Sequence, residues 1–231
     1  MFPFFFDPTW ALILPALALA IWAQYKVKST YEKYSQIASR SGMTGEQAAR
    51  RILDSQGLNN VQVVSVAGAL TDHYDPRDKT VHLSEPVYGS SSLAALAVAA
   101  HETGHAVQDQ LGYAPMNLRA KLVPVAGFGS ALAFPLFFIG FIIHSASFAW
   151  MMDLGIIFFA GAVLFHLVTL PVEFDASRRA MAILANGGYL APDEVYEAKK
   201  VLRAAAWTYV AAASMAVLQL VRLLILRQSR D

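Results

Sequence analysis

Apolar residues gather in long blocks separated by mixed sequence. Residues 9–24 (TWALILPALALAIWAQ) carry no charge and end at the cationic YKVK. Residues 122–143 run without a charge, and 146–170 contain only Asp153. A helix that crosses a bilayer needs about 20 apolar residues. The second and third runs meet that length, and the first does if Phe4–Phe6 extend it past Asp7 and Pro8. A fourth run, 204–221, is long enough but Ala-rich, so it reads either as a span or as a buried helix. The N-terminal run lacks the basic leader of a signal peptide and reads as an uncleaved anchor.

Shorter periods appear between the runs. In TGEQAARRILDSQG, Thr44 suits an N-cap, Gln47 its capping-box partner and Gly57 the stop. Ile52 and Leu53 would face a core, with Arg50, Arg51 and Asp54 in water. VQVVSV (61–66) is β-branched and predicts a strand. TDHYDPRD (71–78) is turn chemistry that should break any regular element. KTVHLS (79–84) alternates and predicts a half-buried strand paired with 61–66, with His82 exposed. After Gly89–Ser92 a long helix begins under a serine cap and ends near Gly112. It is apolar nearly all round up to Ala100, hence buried. The Phe-rich segment 134–141 reads as lipid-facing bulk.

Composition fits this pattern: 231 residues, 56% hydrophobic and 15% charged, with net charge +1. That balance gives no argument for a nucleic-acid partner. There is no cysteine, so any metal must be held by His, Asp or Glu. The fold expected is a mainly α membrane protein with three or four spanning helices and a small α+β domain carrying a short β-hairpin or sheet. Its parts are an anchor (1–25), a cytoplasmic region with the buried helix (26–121), a membrane hairpin (122–170), further cytoplasmic helices (171–203) and a C-terminal apolar helix (204–231). Lysines and arginines after the first run, before the second and after the third place 26–121 and 171–203 in the cytoplasm. Arg222, Arg227 and Arg230 oppose that rule if the fourth run spans. The location expected is the cell membrane, with several passes.

The buried helix contains His101-Glu102-Thr103-Gly104-His105. Side chains at i and i+4 share a helix face, and two imidazoles there can hold one zinc at about 2.0–2.1 Å. Glu102 points about 100° round the helix, off the ligating face but in reach of a water on the ion, as general base and then proton donor to the leaving amine. Zinc lowers the pKa of such a water and polarises the scissile carbonyl. A third ligand is required. His144 and His166 lie in or near the apolar runs, Asp153 lies towards the far membrane face, and Glu173 and Asp175 follow the third run. The hairpin of runs two and three returns Glu173 beside the histidine helix. Pro171 suits the first turn of a helix ending near Asn186.

HETGH, the later VEFDAS, LTDHYDPRDKTVHLSEPVY before the motif and AAAWTYVAAA after it resemble the YugP-like family of bacterial neutral zinc metallopeptidases. The likeness runs from about residue 26 onwards. More distantly the chain is similar to HtpX-like membrane gluzincins. The resemblance implies a zincin-like catalytic domain, here with its active site on the cytoplasmic side, and one zinc held by His101, His105 and Glu173, with Glu102 as base. HtpX-like proteins usually carry Asp four residues after the ligating Glu, and here Ser177 stands there. Asp175, Ser177 and Asn186 are therefore the candidates to brace the imidazoles. A peptide or protein substrate, which could be a membrane protein, would add to an edge strand at Thr80, Val81, His82 and Leu83. His73, Tyr74, Arg178 and Tyr189 are candidate oxyanion donors.

Plainer readings stand beside these: a core histidine pair, a helix-terminal Glu173, and a first-turn Asp175. A silent zinc scaffold would have no need of Glu102. A small transporter would need Asp153, His144 and His166 to act together, and they show no repeated arrangement.

Overall fold

The computed structural model describes residues 8–143 and 145–229. Phe4–Phe6, Asp7, His144 and Arg230 lie outside the described residues. Among the described residues a short 3₁₀ turn, Pro8–Leu12, leads into α1 (Leu14–Ser35). Then come α2 (Gly45–Ser55), β1 (Gln62–Val66), β2 (His73–Asp75), β3 (Thr80–Ser84), α3 (Glu85–Tyr88) and α4 (Leu93–Gln110). The chain ends with α5 (Ala114–Ile142), α6 (Ala149–Asn186) and α7 (Pro192–Gln228). The protein is thus a mainly α membrane protein with a small sheet. Among the described residues, four helical stretches are long and apolar enough to cross a membrane: Pro8–Ser35, Ala114–Ile142, Ala149–Asn186 and Pro192–Gln228.

The chain divides into two compact units. The first comprises Met1–Ala23, Asn117–Leu170 and Thr208–Asp231. Within it, glycines let α5 and α6 touch backbone to backbone. A Cβ at Gly129 would stand 2.6 Å from the Phe158 carbonyl oxygen, and one at Gly155 2.6 Å from that of Ala133. Small residues at close crossings are the usual means of packing helices in lipid, where apolar burial gives no drive. The Phe-rich segment faces outward only in part: Pro135 and Ile139 are exposed, while its inner face packs between helices. Phe137 is fully buried with Ala133, Met152 and Leu223, and Phe134 meets Phe159 edge-on at 5.4 Å. α7 is a single helix through the fourth apolar run. Its Arg227 bonds Asp153, near the start of α6, at 2.8 Å, so the carboxylate of the third run is engaged in an ion pair.

The second unit comprises Gln24–Met116 and Pro171–Trp207. The Thr44–Gln47 capping box is present in both directions, a motif that contributes about 1 kcal/mol. Gly57 takes φ +73° after α2, and Gly112 takes φ +62° after α4. Ile52 and Leu53 are buried. Arg50 is half-buried and donates to the Val61 and Leu58 carbonyls. Ser92 caps α4 by accepting from Ala95 N.

The sheet departs from expectation in two ways. Its order is β1-β3-β2, with β1 parallel to β3 and Val63 opposite Val81. The segment 71–78 is not turn throughout. His73–Asp75 forms a strand antiparallel to β3, with Tyr74 opposite Val81. Asp72 stabilises the far side by accepting from Ser84 N and Oγ. β3 is therefore the central strand, and Thr80, Val81 and His82 are flanked on both sides. The expected edge at Thr80–Leu83 is corrected: the edges are β1 and β2. His82 is half-buried and stacks on His73 at 4.5 Å.

Pro171 does not open a new helix. It lies inside α6, which continues without a break from the apolar run to Asn186. An internal proline forfeits one backbone hydrogen bond, which helices in membranes tolerate where neighbours satisfy the freed carbonyl.

Candidate metal centre

The site is built on α4 and on the part of α6 beyond Leu170. Within α4, Ala94–Ala100 and Thr103–Val107 are mostly buried, so His101 and His105 lie on a helix that is polar only where the site needs it. α6 approaches α4 at Gly104. A Cβ at that position would lie 2.8 Å from the Ala176 carbonyl oxygen. Only glycine permits this distance, and it brings α6's carboxylate onto the histidine face.

Glu173 Oε2 lies 3.2 Å from His101 Nε2 and 3.6 Å from His105 Nε2. The ligand atoms of the three residues all fall within 4.8 Å of one another. Two donors at zinc distance and tetrahedral angle stand roughly 3.3 Å apart, so both spacings fit a shared ion. The imidazoles meet at 81° with centroids 4.8 Å apart. Glu173 is 2% exposed and His105 7%. Buried charge at this density requires partners, and the three groups serve each other.

Each imidazole is braced at its second nitrogen. Ser177 Oγ lies 3.2 Å from His101 Nδ1. Gln108 Oε1 lies 3.0 Å from His105 Nδ1. The Gln108 amide can face only one way, because its nitrogen donates to the Val172 carbonyl at 2.8 Å and to Asp175 Oδ2 at 2.9 Å. Its oxygen therefore accepts from Nδ1–H of His105, so Nε2, the nitrogen that faces Glu173, is the one left to hold a metal. Asp175 acts one step back. It accepts from Gln108 and from Arg179 at 2.5 Å, and pairs with Arg178.

Burial pushes the Glu102 carboxyl above its ordinary value, against the opposing pull of His101 and His105. Burial lowers His105, but the hydrogen bond and charge of Glu173 outweigh it and hold the imidazole above 6.5. Burial also raises Glu173, yet the two histidines bring it below the usual carboxylate range. The donor set of two nitrogens and one carboxylate oxygen suits zinc in a chain without thiolates.

The remaining sequence candidates divide. Ser177 and Asp175 reach the site, the first directly and the second through Gln108. Asn186 does not: it is exposed at the end of α6, thirteen residues and so roughly 20 Å from Glu173. Tyr189 is buried in the hydrophobic cluster with Leu184 and Val201. The Tyr74 hydroxyl donates to Asp109 at 2.6 Å, and burial with that bond raises its pKa. The Arg178 side chain is 78% exposed and turned to Asp175. His73 stands exposed on β2, its Nδ1 2.8 Å from the Thr71 carbonyl oxygen. Gln108 was missed by sequence reasoning. Its signal was a buried polar residue three places after His105 in an otherwise apolar helix.

A family model described as "Putative neutral zinc metallopeptidase" matches residues 9–228. The chain belongs to this family. It is 49% identical over 221 residues to the "Putative membrane protease YugP" of Bacillus subtilis (strain 168), covering 95% of this chain and 97% of that protein. No solved structure matches the chain. Within the zinc metallopeptidase family the buried His101–His105–Glu173 cluster is where a metal fits this chain.

Proposed function

We propose that the protein is a membrane zinc endopeptidase of the gluzincin type, with its site on the cytoplasmic side. The observation that carries the reading is the triad: three ligand atoms of zinc-binding type within 4.8 Å, each imidazole braced at its other nitrogen, and Glu102 buried beside them. A structural zinc is usually closed by four protein ligands, whereas three leave a position for water and substrate.

A zinc held there would supply Lewis acidity and an activated water. Glu102, buried beside the ligands, would accept the proton of an attacking water and return it to the departing amine nitrogen. Its burial, which raises its pKa, makes it a stronger base than an exposed glutamate. Ser177 and Gln108 keep each Nδ1 protonated and each Nε2 free to ligate. Gly104 sets the α4–α6 spacing that this requires.

The substrate lies along β2 in this reading, because β3 is central. β2 packs on α4, and Asp72 at its start lies close enough to act on Glu102 electrostatically. A peptide added to its outer edge would bond the main chain of His73–Asp75. His73 is then the candidate oxyanion donor, since Tyr74, Arg178 and Tyr189 are engaged elsewhere.

The full chain, purified in detergent with zinc, should cleave an unstructured peptide. Glu102→Gln should keep the zinc and lose cleavage by about 10²–10⁴-fold. Equal low turnover in both proteins would leave a zinc scaffold as the reading.

A further inference from the structure

Away from the metal site, the first unit holds a cavity of 610 Å³. Its walls are apolar, with Phe134, Phe138 and Phe159 on α5 and α6 facing Met215 and Ala216 on α7. One end carries Trp10 and Arg222, the other Ala212 and His166. Arg222 is 3% exposed. Its Nε donates to Thr9 Oγ1 at 3.1 Å, and its guanidinium carbon stands 4.2 Å from the centre of the Trp10 ring. A buried arginine in an apolar helix bundle is costly and marks a binding site unless it serves packing alone.

Position along the helix limits the occupant. Arg222 lies five residues before Arg227, which pairs with Asp153 near the start of α6. It therefore sits roughly 7 Å along the helix from that pair, towards one end of the apolar stretch, beside Trp10, a residue type enriched at membrane interfaces. From Arg222 to Ala212 the helix rises roughly 15 Å, half of the ~30 Å hydrocarbon core. The groove is one leaflet deep. A spanning protein segment needs the whole thickness and a channel about 10 Å wide. An acyl chain needs neither, and its phosphate would end beside a guanidinium.

We propose that this cavity binds one acyl chain of an anionic phospholipid, with the lipid phosphate at Arg222. An arginine recognises phosphate through charge-assisted and bidentate hydrogen bonds. The apolar walls hold the chain without discrimination, so selectivity resides at Arg222.

The test uses the full chain in detergent after delipidation. Phosphatidylglycerol or phosphatidylcholine with brominated acyl chains is titrated in while tryptophan emission is recorded. The difference between the native protein and Trp10→Phe isolates Trp10. Phosphatidylglycerol should quench Trp10 at roughly tenfold lower concentration than phosphatidylcholine. Arg222→Gln should remove that preference, and Ala212→Phe should weaken quenching by both lipids. Should Arg222→Gln fail to fold, the native protein gives the second reading: rising salt should weaken phosphatidylglycerol and leave phosphatidylcholine unchanged. Equal potency of the two lipids, or a preference that survives both salt and Arg222→Gln, overturns the proposal. Quenching relieved by an apolar transmembrane peptide but not by unlabelled phosphatidylglycerol assigns the groove to a protein segment and also overturns it.

Discussion

Gln108 connects three groups at once: the His105 ring, the Val172 carbonyl and Asp175. Gln108→Leu removes all three bonds while keeping the volume. Zinc affinity should fall about 10–100-fold, read by competition with a chromophoric chelator, and unchanged affinity would show that the brace is dispensable. Protonation adds a second consequence. Ligation needs Nε2 of both imidazoles free of a proton, and His105 is held above 6.5 by Glu173. Acidification therefore restores the competing proton, and in the metal-free protein it does so at higher pH than for an ordinary histidine. Zinc affinity measured across a pH series should begin to decline at a higher pH than an ordinary histidine would produce. A flat response down to pH 6 would contradict the pairing of His105 with Glu173. At this scale the motif was readable, because His101, Glu102 and His105 are local to one helix. The braces were harder. Ser177 was one of several candidates, and Gln108 acquires its role only when α6 presents Val172 and Asp175 to it.

At the scale of elements the decisive contact is between α4 and α6. Gly104 admits the Ala176 carbonyl to a distance that a methyl group would violate. Gly104→Ala should therefore separate the helices by a fraction of an ångström to an ångström. A misplacement of that order can cost about 10²-fold in turnover, with helix content by circular dichroism unchanged. Native turnover in Gly104→Ala would refute this role. Helix limits were legible because caps are local chemistry: Thr44, Gln47, Ser92 and Gly112 all act within a turn. The sheet was less legible. Parallel pairing of β1 with β3, and the insertion of β2 at the other edge, depend on contacts between strands. The Asp- and Pro-rich sequence 71–78 resembles a turn from end to end, yet Tyr74 is held in a strand by Val81 across from it and Asp109 on α4. Pro171 misleads for a similar reason, since a helix already stabilised over the apolar run passes through it.

For the whole molecule, the apolar runs announced the membrane class, and their pairing by glycine contacts did not show in the pattern. Phe137 reads as lipid-facing by composition, but Gly155 of α6 comes within van der Waals reach of it. The charge rule conflicts over the C-terminus, where Arg227 is paired with Asp153. The absence of cysteine allows a direct check of orientation. A membrane-impermeant thiol reagent on intact cells should label Ser145→Cys and Ser229→Cys and spare Lys199→Cys. The opposite pattern would turn the metal site to the outside.

The central claim is that one zinc at His101, His105 and Glu173 makes this chain a peptidase. The most direct test titrates zinc into the metal-depleted full chain while following cleavage of an unstructured peptide. Cleavage should rise in proportion to added zinc and level off at one ion per chain, with Glu173→Ala showing no such rise at stoichiometric zinc. Cleavage independent of zinc, or a Glu173→Ala protein that titrates as the native one does, would contradict the account.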